Sequence, residues 1–421
     1  MARSLAPTTT AQGETADPGH PLALPDAARI SAGEITHQVI KSVEIRAEDI
    51  DMTKLRVRPD RARRRTRRRQ TFRVVLTAVV LALLSGCVAV SVSGNQLRGI
   101  NGSPLRLLGV NRSGTEYACV QGWGIFDGPS DATSINAIGS WHVNAVRVPL
   151  NEDCWLAING VNPAYSGANY QNAVVSYVNT LNSKGMAAIL DLHWNGPGTQ
   201  LATGQRVMAD ADHSPAFWTS VATTFKSDAG VMFDLYNEPH DISWSCWRDG
   251  CTTSDGWQTA GMQSLVNAVR NTGARQPIMV GGLGWSSDLS QWLTYKPTDP
   301  ANQLVASFHL YNFSGCNTAS CWDANVAPVA ASVPVVTGEL GESDCGHGFI
   351  DQYMAWADAH NVSYLGWTWD TWDCSSGPAL ITNYDGTPTA FGAGLKNHLA
   401  ALAGPSSAVR VGRSRRASQR G

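Results

Sequence analysis

Residues 233–241 read FDLYNEPHD. Phe233, Leu235 and Tyr236 have the character of a buried strand, yet they run straight into an amide, a carboxylate and a proline. Proline has no N–H to give to a sheet ladder, so a strand that enters this sequence has to stop here. Glu238 is thereby delivered to the carboxyl end of a strand, on the rim of whatever the sheet builds.

Runs of the same kind recur on either side. They are RLLGVN (106–111), NAVRVPL (144–150), AAILDLHW (187–194), VMFDLYN (231–237), PIMVGGLG (277–284), LVASFHLYN (304–312), VPVVTGEL (333–340) and SYLGWTW (363–369). Most are continuously apolar, as parallel strands buried on both faces are. Stretches of helical period lie between them: 170–185, ending on a glycine; 214–227, opening on Ser-Pro; 257–273; and 349–361. Eight alternations over about 300 residues predict an α/β chain folded as a single (β/α)8 barrel. A doubly wound open sheet is the alternative, but it would want a glycine-rich phosphate loop, and neither G-x-G-x-x-G nor G-x-x-x-x-G-K-[ST] occurs.

Barrels carry their chemistry at the carboxyl ends of the strands. Those ends supply Arg147, His193 with Trp194, Asn237 with Glu238, His309 with Tyr311, Glu339, and Trp367, Trp369 and Asp370. Two carboxylates on non-adjacent strands suit glycoside hydrolysis, where one protonates the leaving oxygen and the other attacks the anomeric carbon or activates water. Asn237 is placed to bind a sugar 2-OH. Arg147 and Tyr311 are placed to keep Glu339 ionised. Glu339 is preferred to Glu342 because it ends the apolar run while Glu342 begins a loop. Asp191 and Asp234 fall inside strands and read as structural. All 15 Trp lie within residues 94–403, and flat indoles suit pyranose faces. Trp123, Trp155, Trp194, Trp244, Trp247, Trp285, Trp322 and Trp369 are candidates to line a cleft, with Trp369 taken as the platform, while Trp141, Trp218 and Trp356 read as core.

The formal net charge of -2 conceals an asymmetry. Residues 94–403 carry 25 acidic against 12 basic side chains, so the body is unsuited to gripping phosphates, and no nucleic-acid partner is expected. The basic residues collect at the ends, in a polar N-terminal region (1–73) and a tail (404–421) that both read as disordered. The arginines of RARRRTRRRQTFR (61–73) precede the uncharged run VVLTAVVLALLSGCVAVSV (74–92), which is the pattern of an export signal or membrane anchor, assigned to 74–93. Three outcomes stay open: lipidation at Cys87 in a lipobox-like LSGC, a signal anchor, or cleavage near Ser91–Gly94. All place the body outside the cytoplasm, secreted or anchored to the outer face of the membrane. Met52 is an alternative start.

Eight further cysteines suit an exported, disulfide-bonded domain. Cys246–Cys251 and Cys316–Cys321 are the easiest pairs, and the rest can pair as Cys119–Cys154 and Cys345–Cys374. A zinc site is disfavoured, because no C-x-x-C occurs and no His stands at ligand spacing.

Taken in order, NAVRVP, LDLH, FDLYNEPH, SFHLYN, TGELG and GWTWD resemble glycoside hydrolase family 5, the large cellulase family of retaining (β/α)8 enzymes, over about residues 94–400. The stretch from GVNRSGTEYACVQGWGIFDG to HVNAVRVPLNEDCWL resembles an actinobacterial branch of it. The resemblance implies Glu238 as acid/base and Glu339 as nucleophile. It implies Arg147, His193, Asn237, His309, Tyr311 and Trp369 as their supporting shell. The expectation is an exported, monomeric endo-β-1,4-glucanase acting on β-glucan without metal or cofactor. A β-mannanase is the close alternative. A non-catalytic glycan-binding protein is the alternative of another class, which loss of either glutamate would favour. An esterase is weakened by the absence of G-x-S-x-G.

Overall fold

A computed structural model describes residues 88–373 and 376–404. The eight apolar runs are strands: β1 (Leu108–Asn111), β2 (Ala145–Asn151), β3 (Ala187–Trp194), β4 (Val231–Asp234), β5 (Ile278–Gly281), β6 (Leu304–Tyr311), β7 (Val335–Gly341) and β8 (Ser363–Gly366). What separates a barrel from an open sheet is the last pairing. β8 lies parallel to β1, with Tyr364 opposite Leu108 and Gly366 opposite Val110, so the sheet closes on itself.

The strand faces divide the core in two. One apolar cluster takes a residue from each of β2–β8, among them Ile189, Met232, Met279 and Leu365, and fills the barrel. The other, including Val146, Val148 and Phe233, meets the surrounding helices. Period-2 alternation explains the split. The main helices lie where the periodicity puts them: Ala168–Ser183, Ser214–Phe225 and Gly348–Ala359. One begins later than expected, at Met262 rather than near Trp257. Gly261 caps it, and residues 252–258 form a small hairpin instead.

The folded body also begins earlier than the Gly94 boundary. Ser91–Ser93 pairs with Gln96–Arg98 in a three-stranded sheet, and Val90 and Leu97 join the cluster inside the barrel. The Val90 amide donates to the Ala229 carbonyl at 2.9 Å. The end of the apolar run is therefore structural, and cleavage just before Gly94 would remove a strand. The rest of that run, Cys87 included, and the assigned tail beyond Gly404 lie outside the described residues. Among the described residues no helix is long and apolar enough to cross a membrane.

Cys119–Cys154, Cys246–Cys251 and Cys316–Cys321 are disulfides, as expected. Cys345 is also disulfide-bonded, while Cys374 lies outside the described residues.

The tightest strand contact is at Gly109, where an added Cβ would lie 2.1 Å from the Ala145 carbonyl oxygen on β2. Backbone cannot yield as a flexible side chain does. Gly109→Ala is expected to destabilise the barrel by about 3 kcal/mol, the upper range for overpacking, read as a lowered midpoint in denaturant unfolding.

Candidate active site

The carboxyl ends of the strands converge on one cation. Arg147, on β2, is fully buried and meets five polar groups, four through hydrogen bonds and the fifth, Asp191, as an ion pair. Nε donates to Asp234 at 3.0 Å. One terminal nitrogen donates to Glu339 at 2.8 Å and Asn111 at 3.1 Å. The other lies 2.9 Å from the Asn237 side-chain oxygen and 3.0 Å from Asp191. Asp191 and Asp234 are therefore structural partners, as their strand-interior positions predicted. Burial pushes both carboxyls up to about 7 despite the attraction of Arg147.

Asp191 also lies 2.6 Å from His193 Nδ1, which orients the ring and leaves Nε2 facing the Asn237 amide at 3.3 Å. Burial lowers His193 to about 4 and His309 to about 3, so both rings are neutral at ordinary pH.

Glu238 and Glu339 face each other across this floor. Oxygens of the two carboxylates and a ring nitrogen of His309 all lie within 4.8 Å of one another. Their surroundings differ. Glu339 is held by Arg147 on one oxygen and by the Tyr311 hydroxyl, which donates at 2.5 Å, on the other. Burial and the charge of Glu339 hold the Tyr311 proton firmly. Glu238 has no cation in contact: His309 Nδ1 is 3.0 Å from one oxygen, and the Gln205 amide donates to the other at 3.0 Å. Burial raises Glu238 above the usual carboxylate range, against the opposing pull of Gln205 and of the Arg147 charge.

Glu342, the competing carboxylate, accepts from the backbone amides of Phe349 and Ile350 at 2.9 and 3.1 Å. It caps the helix that begins at Gly348, a structural task.

The cleft above the two glutamates has a volume of about 750 Å³, and Trp194, Trp285, Trp367 and Trp372 contribute to its walls. Trp369, the predicted platform, is instead fully buried, edge-on to Trp141 at 4.8 Å. The expectation assumed that Trp367 and Trp369 share a strand face, but β8 ends at Gly366 and the alternation ends with it. Trp367 takes the cleft position, stacked on His193 with centroids 5.4 Å apart. Trp155 and Trp247 are also core, and Trp244 and Trp322 nearly so. Trp123 is half exposed, 6.0 Å from Tyr117.

Sequence reasoning missed Gln205, Asn111 and Trp372. Asn111 ends the first apolar run, so its strand-end position was a usable signal. Gln205 lies mid-loop with no motif around it. It bridges adjacent residues, accepting from the Asn237 amide at 2.6 Å while donating to Glu238.

Among the described residues two clusters have spacing that could hold a cation. One is Glu238, His309 and Glu339 themselves; the other is Glu152, Asp210 and His213. In the second, Ser214 donates to Glu152 at 2.5 Å and Asn195 to Asp210 at 2.7 Å. Burial raises Glu152 well above the carboxylate range, and the charge of the neighbouring Asp210 adds to the rise.

Removing the guanidinium would leave Asp191, Asp234 and Glu339 buried without a counter-charge. Arg147→Met is expected to cost about 3–5 kcal/mol at neutral pH. With the folded-state values of Asp191 and Asp234, already raised, pushed further above their unfolded values, the variant is most stable in acid and loses stability as pH rises. Unfolding midpoints at pH 5 and pH 8 check this: the deficit against the unsubstituted protein is smaller at pH 5.

The family model described as cellulase (glycosyl hydrolase family 5) matches residues 99–373. Endoglucanase 1 of Robillarda sp. (strain Y-20) is 27% identical over 292 residues, covering 61% of this chain and 70% of the relative. A mannan endo-1,4-beta-mannosidase of Streptomyces lividans is 25% identical over 294 residues, covering 66% of each. The solved structure of a beta-glucanase from Saccharophagus degradans in complex with cellotetraose superposes with a TM-score of 0.57 at 21% identity, covering 75% of this chain and 94% of that one, a likeness of fold. With the family model covering well over half the chain, the protein belongs to glycosyl hydrolase family 5 and is a glycoside hydrolase.

Proposed function

We propose that this glycoside hydrolase is a retaining endo-β-1,4-glucanase. The observation that carries the reading is the close approach of two carboxylates in opposite environments. Retaining glycosidases hold their carboxyl groups about 5–5.5 Å apart, whereas inverting ones leave room for a water at about 6.5–9.5 Å. Glu339, fixed by Arg147 and Tyr311, is suited to attack the anomeric carbon as an anion. Glu238, raised by burial, is suited to keep a proton for the leaving oxygen. It then takes a proton from the water that releases the glycosyl group. Asn237 is read as the group that meets the sugar 2-OH, a reading supported by its fixed orientation between Arg147 and His193.

A glucan is favoured by the endoglucanases among the relatives and by the cellotetraose held by the structural neighbour. Mannan is the second reading, supported by the relatives named as mannan endo-1,4-beta-mannosidases. The disulfides and the basic-then-apolar segment support an extracellular location, anchored or secreted.

Reducing-sugar release should be measured on carboxymethylcellulose, mixed-linkage β-glucan, glucomannan and galactomannan. Hydrolysis of the glucans, abolished in Glu339→Gln, is the expected outcome. Hydrolysis of the mannans alone would replace the substrate and keep the mechanism.

Protonated Glu238 is required, so kcat/KM falls as pH rises through its raised value. Glu238→Ala is expected to lose about 10²–10⁴-fold on natural glycans. On a dinitrophenyl glycoside, whose leaving group needs no acid, the variant should lose that basic limb. With azide it should form the glycosyl azide of retained configuration, and an inverted product would refute the retaining mechanism.

A further inference from the structure

The loop after β3 and the loop after β4 enclose a second cavity of about 850 Å³. It meets the catalytic cleft at Gln205, which lines both. The cavities also share a wall in which His240, on the second cavity's side, stacks on Trp285, on the cleft's side, with centroids 4.4 Å apart and planes 7° from parallel.

These loops are strapped together. The Ala211 amide donates to the Gln258 carbonyl at 2.9 Å, Ala260 to Ala209 at 2.8 Å, and His240 to Val207 at 3.0 Å. The Cys246–Cys251 disulfide closes the adjoining turn. The cavity is thus preformed, as binding sites generally are, and its volume falls within their usual range of about 300–1,000 Å³.

Its lining matches a neutral, hydroxyl-rich ligand. Gln200, Thr253 and Gln258 offer uncharged donors and acceptors, and Trp257 offers a partly exposed indole. The charged groups are of both signs, Arg206 against Asp212 and Asp255, a formal net of one negative charge that disfavours an anionic ligand. Arg206 donates to Gln200 at 2.9 Å, while its Nε is buried without a partner among the described residues.

We propose that this cavity is a subsite for a neutral sugar branch carried by the glycan whose backbone lies in the catalytic cleft. The inference rests on the glycanase reading above. The backbone has its own indoles in the cleft, so what passes Gln205 is a substituent. Trp257 covers the apolar face of the branch sugar, and Gln200, Thr253 and Gln258 meet its hydroxyls. The enzyme accordingly favours decorated over bare chains.

The test uses the full chain carrying Glu339→Gln, so that binding is read without turnover. Isothermal titration calorimetry compares cellotetraose with its α-1,6-xylosylated heptasaccharide, and mannopentaose with its α-1,6-galactosylated form. In at least one pair the branched sugar should bind about five- to tenfold tighter, the worth of one aromatic stacking contact. Adding Trp257→Ala should abolish the preference, and adding Ser254→Trp, which fills the cavity from an exposed position, should do the same. Equal or weaker binding of both branched sugars overturns the proposal. So does a preference that survives both substitutions, or no binding of any of the four. Failure of the glycanase reading is separate: it shows as no hydrolysis of linear glycans by the unsubstituted enzyme.

Discussion

The structure depends on one buried guanidinium. Arg147 carries a positive charge where no water reaches it, and such a charge is costly unless every donor is met. Four hydrogen-bond acceptors, from β1, β4, β7 and the turn after β4, and one ion-pair partner on β3 meet it. Those groups therefore cannot shift independently, and the mouth of the barrel becomes a rigid floor. A lysine would not substitute, because its three donors lack the planar fork that reaches five partners.

From that floor the two glutamates acquire different characters. Both are carboxylates at strand ends, and nothing intrinsic separates them. Glu339 receives a cation and a phenolic donor, whereas Glu238 receives a neutral imidazole and an amide. Two identical groups a few ångströms apart thereby sit in unlike environments, which suits the proposed division of their roles. The neutrality of His193 and His309 is part of this, since a protonated ring would pull the proton affinity of Glu238 back down.

The loops are the variable layer on this scaffold. Aromatic residues on them line the cleft, while most of the other tryptophans are spent on packing helices around the barrel. The residues from 195 to 213 tie together three features: the Glu152–Asp210 pair at their base, Gln205 against the acid, and the wall of the second cavity. Changes in such a loop alter what the site accepts without touching the strand ends.

The sequence by itself determined the barrel and the residues at its mouth. Continuous apolar runs with polar or aromatic residues at or near most of their carboxyl ends are local patterns, and Pro239 set an outer limit for β4, which stops earlier, at Asp234. Hence Glu238, Glu339, Arg147, Asn237, His193, His309 and Tyr311 could all be named from the chain, as could three disulfides. Tertiary structure alone decided the rest. Trp369 left the cleft because strand alternation does not persist beyond Gly366, and no sequence pattern records where a chain turns away. Gln205 entered it because a loop with no periodicity folded across the acid. Residues 88–93, grouped with the apolar segment before them, belong to the body because Val90 finds partners inside the barrel. In each case the deciding contacts join residues far apart in the chain, and only folding brings them within reach.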